Sequence, residues 1–212
     1  MTPPPPSGTG LALASVRALP AALLIGTMVG LVSALGDGVR IMVVNGLANA
    51  ISPWVLGAFA AGAVAGSPGL GAVSGVAALI AALALYYGGF LLEGHTFLVP
   101  LVAAWSVAAL GTGVLLGAAG GAWRSRQDGW KTLAVGLLAG SLVAEAAHRL
   151  ILIETWTGIG WGRTYTHVAA ANLVIAGVLL LVLAPGRRLA ATAVMLVVGG
   201  VALLALFALD LF

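Results

Sequence analysis

The chain has 212 residues, of which 61% are hydrophobic and 7% charged, with a formal net charge of +3 and no cysteine. A soluble domain carries about 25% charged residues, so this composition excludes an ordinary water-facing surface and points to a chain whose solvent is lipid. Disulfides and thiolate chemistry are excluded as well, and no basic cluster outside the ends of apolar stretches offers a nucleic-acid surface.

The chain opens with four consecutive prolines, Pro3 to Pro6, among small polar residues. Such a segment builds neither helix nor core, so residues 1–15 are expected to be a disordered lead-in and residues 16–212 a single transmembrane domain. No basic start precedes the first apolar stretch, so a cleaved signal peptide is not expected. The first span is predicted over Val16–Leu35, with Pro20 tolerated in its first turn. Gly36-Asp37-Gly38-Val39-Arg40 ends it. An apolar segment from Ile41 to Ser52 then carries Asn45 and Asn49 on one helical face, and Pro53 opens a piece ending at Gly66. That piece is too short to cross ~30 Å of hydrocarbon at ~1.5 Å per residue. Two readings follow: one helix kinked at Pro53, which is preferred, or a broken or re-entrant element.

Ser67 and Pro68 turn into a third span, Gly69–Leu92, and Glu93, Gly94, His95 and Thr96 separate it from a fourth, Phe97–Trp123. A basic gap with Arg124, Arg126, Asp128 and Lys131 leads to the fifth, Trp130–Ile153. A Gly/Trp-rich loop, Glu154–Thr166, with Trp156 and Trp161, is read as a headgroup-layer segment or a cap over a cavity. The sixth span is His167–Ala184, and Pro185-Gly186-Arg187-Arg188 turns into the seventh, which ends near Asp210. The predicted fold is an all-α polytopic transmembrane bundle of about seven spans, or six if the interrupted segment does not cross.

Orientation follows from the basic residues. Arg17, Arg124, Arg126, Lys131, Arg187 and Arg188 fall on one side, and only Arg40, Arg149 and Arg163 on the other. The excess of positive charge on the inner side of membrane proteins then predicts a multi-pass protein of the cell membrane, a bacterial inner membrane, with a cytoplasmic N-terminus and an external C-terminus. Trp123 and Trp130 at one boundary, and Trp54, Tyr86, Tyr87, Phe97, Trp156, Trp161 and Tyr165 near the other, fit interfacial belts. Glycines spaced at four, namely Gly26/Gly30, Gly62/Gly66, Gly71/Gly75, Gly113/Gly117/Gly121 and Gly136/Gly140, predict close packing between helices of one chain.

The polar residues that break the apolar pattern lie in the expected outer half. Glu145, His148 and Arg149 are inside the fifth span, where an unpaired charge at the centre costs about 2.5–3.5 kcal/mol on insertion scales. Glu145 lies i,i+4 from Arg149 and i,i+3 from His148, so one carboxylate can pair with either. One reading is a structural ion pair with Arg149 reaching to the interface. Another is an outward polar pocket for a small solute, built from Glu145, His148, Arg149, Asn49, Glu93, His167 and Asn172. A third is a metal site, since Glu-x-x-His is the spacing of carboxylate-bridged bundles, although those use the motif twice. No phosphate-binding loop, nucleophile elbow or dinucleotide fingerprint is present, so no cofactor and no catalytic residue is expected.

Asn49, Ser52, Trp54, Ala58, Phe59, Gly62, Tyr86-Tyr87-Gly88, Trp105, Gly140 and Ala144-Glu145 resemble an uncharacterised family of bacterial multi-spanning membrane proteins. That resemblance implies an integral membrane bundle and transfers no activity. A second, limited similarity is to the substrate-binding membrane subunits of energy-coupling-factor transporters, through Ala14/Ala18/Ala22 and the loop-poor bundle, although an odd span number departs from their even topology. The function expected is a small-solute binding or transport component, with a structural or accessory membrane protein and a metal-dependent membrane enzyme as alternatives. The partners expected are the lipid bilayer, a small polar solute, and a cytoplasmic or membrane protein.

Overall fold

A computed structural model describes residues 8–92, 94, 96, 99–152 and 162–209, with side chains described from residue 17 to residue 207 within them. Among these residues helix is the one regular secondary structure. Helix α1 spans Gly8–Gly36, α2 Met42–Ala48, α3 Ser52–Ala65, α4 Pro68–Leu92, α5 Val99–Trp123, α6 Asp128–Ile151, α7 Gly162–Leu183 and α8 Arg188–Leu209. Six of them, α1 over Arg17–Gly36 and α4 to α8, are long and apolar enough to cross a membrane, and α2 with α3 forms a bent pair that makes a seventh candidate. Met1–Ser7, in the expected lead-in, lie outside the described residues.

Large side chains face outward and small ones inward, the reverse of a water-soluble bundle. Leu24, Val107, Leu189 and Leu204 are exposed, whereas Ala22, Ala58, Ala61, Ala78, Ala82 and Ala139 are fully buried. Lipid tails are as apolar as leucine, so helices in a bilayer gain little by burying leucine and more by close backbone approach. Gly26 and Gly30 of α1 meet the backbone of Ala78 and Ala82 of α4. Gly71 and Gly75 of α4 meet Gly117 and Gly113 of α5, and Gly62 of α3 also packs on Gly117. Gly136 and Gly140 of α6 press against Val194 and Val198 of α8. All of this packing is within one chain. Gly66 departs from the expected pattern: its φ of +75° caps the end of α3, with its N–H on the Gly62 carbonyl, and it packs on nothing. Leu79, Leu83, Leu116, Leu138, Leu142, Val55 and Phe59 fill the remaining core between α3, α4, α5 and α6.

The order of contacts fixes chain direction. Gly26 lies on Ala78 and Gly30 on Ala82, so α1 and α4 run parallel and both end where Asp37 and Tyr86 lie. The chain must therefore return to the start of α4 through α2 and α3. Those helices are bent by 50°. The preferred expectation of one helix kinked at Pro53 is corrected: α2 ends at Ala48 and α3 begins at Ser52, so the break spans Asn49, Ala50 and Ile51, before the proline. Pro53 has no N–H to give the carbonyl of Asn49, four residues earlier, so the interruption falls between the two. The sixth span also starts earlier than expected. Helix α7 begins at Gly162, where the Thr166 hydroxyl bonds back to the Gly162 carbonyl at 3.0 Å. The loop segment 153–161, including Trp156 and Trp161, lies outside the described residues.

Candidate functional site

A helix broken inside a bundle leaves backbone donors and acceptors without partners, and in a membrane each such group costs several kcal/mol. Two side chains of α6 supply those partners. The Glu145 carboxylate accepts the N–H of Ile51 at 2.9 Å on Oε1 and the N–H of Ser52 at 3.0 Å on Oε2. These are orphan donors at the start of α3, so a carboxylate from another helix acts as its N-terminal cap. Arg149 donates Nη2 to the Asn49 carbonyl at 3.2 Å, the acceptor that Pro53 leaves unserved. The same guanidinium holds Oε1 through Nε at 3.1 Å and Nη2 at 2.9 Å, and Asn172 of α7 donates Nδ2 to Oε2 at 2.9 Å. Glu145 thus receives five hydrogen bonds at 3% exposure. A carboxylate offers about four lone-pair sites, so its acceptor capacity is filled by the protein. The Arg149 guanidinium also lies 5.1 Å from the centre of the Tyr165 ring.

Two cavities flank this break. The first, about 460 Å³, lies between α3, α4 and α5 and is lined by Trp54, Tyr86, Tyr87, Phe90 and Trp105 together with Asp37 and Asn49. Gly71, Gly75, Gly113 and Gly117 interlock α4 with α5 away from it, and large aromatic side chains line the Asp37 end. The second cavity, about 610 Å³, is lined by Asn45, Asn49, Glu145, His148, Arg149, Thr164 and Tyr165, and shares Asp37, Asn49 and Ile51 with the first. Asp37 is held between them by neutral donors: Asn49 Nδ2 on Oδ1 at 2.9 Å and the Tyr86 hydroxyl on Oδ2 at 2.8 Å. A third cavity at the opposite end lies among Trp123, Arg124, Lys131, Thr132 and Arg187.

Four of the seven expected pocket residues, Glu145, His148, Arg149 and Asn49, come together around the second cavity. His148 is buried, its ring 5.0 Å from that of Phe207 on α8. Asn172 is fully buried behind Glu145, and its Oδ1 has no donor among the described residues. His167 is exposed on α7 and lines neither cavity. Glu93 lies outside the described residues. Among the described residues no three His, Asp or Glu side chains converge as a metal set would. The aromatic cavity, with Trp54, Tyr86 and Tyr87 in its lining, is not among the sequence expectations. The signal was the spacing of Leu79, Leu83, Tyr86, Tyr87 and Phe90, which puts all five on one face of α4.

The chain belongs to a family of unknown function, DUF6518, whose profile matches residues 10–212. No curated protein and no solved structure matches it. The similarity to energy-coupling-factor subunits is therefore without support from these comparisons, and Ala18 and Ala22, which suggested it, are simply buried in the packing of α1.

Proposed function

We propose that the protein is a small-solute-binding component of the membrane, serving binding or transport, with its solute held beside the α2–α3 break in a pocket that opens outward. The observation that carries this reading is the break itself. A span interrupted at Asn49–Ile51 is braced by side chains from two other helices and has cavities of about 460 and 610 Å³ on its two flanks. Both volumes lie in the ~300–1,000 Å³ range of small-molecule sites, and interrupted helices in membrane bundles lie beside the solute in many carriers. The basic residues Arg124, Arg126, Lys131, Arg187 and Arg188 at the far end support an outward opening for the pocket. Within this reading Glu145, Arg149 and Asn172 shape the wall by holding the backbone, and Asp37, Asn49 and the aromatic residues face the solute.

The saturation of Glu145 also favours a second reading, an accessory membrane protein whose buried polar residues serve only one another. A thermal-shift screen of detergent-purified protein against amines, amino acids, vitamins and polyols separates the two. The solute-binding reading predicts a compound that raises Tm in the wild type and not in Trp105→Leu, which removes a cavity wall. The accessory reading predicts no such compound.

A further inference from the structure

We propose that the solute is an organic cation, an ammonium group on an apolar body, bound in the aromatic cavity with its charge against Asp37. This deepens the solute-binding reading and rests on it.

The walls of the cavity are the faces and edges of Trp54, Tyr86, Tyr87, Phe90 and Trp105, with Leu79, Leu83, Leu101 and Thr112 completing them. Tyr86 sits at the centre of the cluster, its ring 6.2 Å from Trp54, 5.2 Å from Tyr87 and 5.1 Å from Phe90, in edge-to-face arrangements. Among the described lining residues there is no Lys, Arg or His, and Asp37 is the one carboxylate. Each Asp37 oxygen takes one neutral donor, leaving acceptor capacity on both, and no Lys or Arg of the described residues pairs with it. Arg149, on the other flank of the break, is committed to Glu145, the Asn49 carbonyl and the Tyr165 ring. Among the described residues the cavity thus sets a fixed anion beside the rings of Trp54 and Tyr86 and holds no cation. Aromatic faces attract ammonium groups through the ring quadrupole, and the attraction grows when water is displaced. A carboxylate in the lining sets the sign of charge that enters. An anionic solute would meet Asp37 with no compensating donor, and a neutral one would leave its remaining capacity unpaired.

The test measures saturable binding by equilibrium dialysis, together with Tm, on the full chain in detergent. The probes are tetramethylammonium, benzyltrimethylammonium, its neutral carbon isostere neopentylbenzene, and benzoate. The proposal predicts that benzyltrimethylammonium binds and raises Tm, that neopentylbenzene and benzoate bind at least tenfold more weakly, and that Asp37→Asn loses at least tenfold in affinity for the cation. Asparagine keeps an acceptor for Tyr86 or Asn49, so an unliganded Tm close to wild type shows that this variant is folded, and Trp105→Leu gives a second variant that should lose affinity. Equal binding of cation and isostere, both abolished by Trp105→Leu, overturns the choice of a cation and leaves the solute-binding reading standing. No saturable binding of any of these probes to folded wild type overturns the cation proposal, while the wider thermal-shift screen decides the solute-binding reading on its own.

Discussion

At the scale of single residues, the pair Glu145–Arg149 is best understood by what it does for a distant stretch of backbone. Alone it would be an i,i+4 ion pair on a helix, with a modest return. In the bundle its carboxylate takes two orphan N–H groups and its guanidinium takes the carbonyl that a proline leaves free. Removing one partner of a buried pair costs about 3–5 kcal/mol, and Glu145→Ala should fall in that range because it strands Arg149, Asn172 and two backbone donors together. Arg149→Ala should cost less, since at 14% exposure water can reach part of what it leaves. The double variant should be less damaged than the sum of the two by about 0.5–3 kcal/mol, measured by denaturant or thermal unfolding in one detergent. Strictly additive losses would show that the two side chains do not act as a unit. The pairing was legible in the sequence from spacing alone. Its purpose was not, because the amides it caps lie 94 and 93 positions away, and spacing reports only neighbours on the same helix.

At the scale of elements, α4 and α5 interlock through glycines at one end and carry the lining of the aromatic cavity at the other. A Cβ at Gly117 would meet the backbone of Gly71 and Gly75, so Gly117→Ala forces α4 and α5 apart, at a cost of about 1–3 kcal/mol for overpacking. Gly111→Ala, on the exposed face of the same helix, meets nothing and should leave stability unchanged within about 0.5 kcal/mol. Comparing the two variants by thermal unfolding checks the interlock: equal losses would mean that Gly117 is not a close contact between α4 and α5. The glycine spacings announced this packing in the sequence, and the composition announced the helices. The break was harder to place. Pro53 marked it, yet the carbonyl it leaves unserved belongs to Asn49, so the distortion lies on the N-terminal side of the proline. Gly66 was misread as packing because a spacing of four cannot distinguish a helical glycine from one whose positive φ ends the helix.

At the scale of the whole molecule, a wall of small residues inside and leucine and valine outside makes a bundle suited to lipid, with its polar interior concentrated at one end. The parallel run of α1 and α4 requires that α2 and α3 carry the chain back between them, in keeping with the bent pair as a seventh candidate span. The chain has no cysteine, so single cysteines report location without background. Gly38→Cys at the Asp37 end should react with a membrane-impermeant maleimide added to intact cells, and Arg126→Cys at the basic end only after permeabilisation. The reverse pattern would invert the proposed orientation. The measurement that bears most directly on the outward-opening solute pocket is the same labelling at Ala108→Cys, a small change on α5 in the wall of the aromatic cavity. A thiol in lipid stays protonated and unreactive, whereas one in a water-filled pocket ionises and reacts. The account predicts labelling from outside, slowed by benzyltrimethylammonium; no labelling of Ala108→Cys in cells where Gly38→Cys reacts would contradict it.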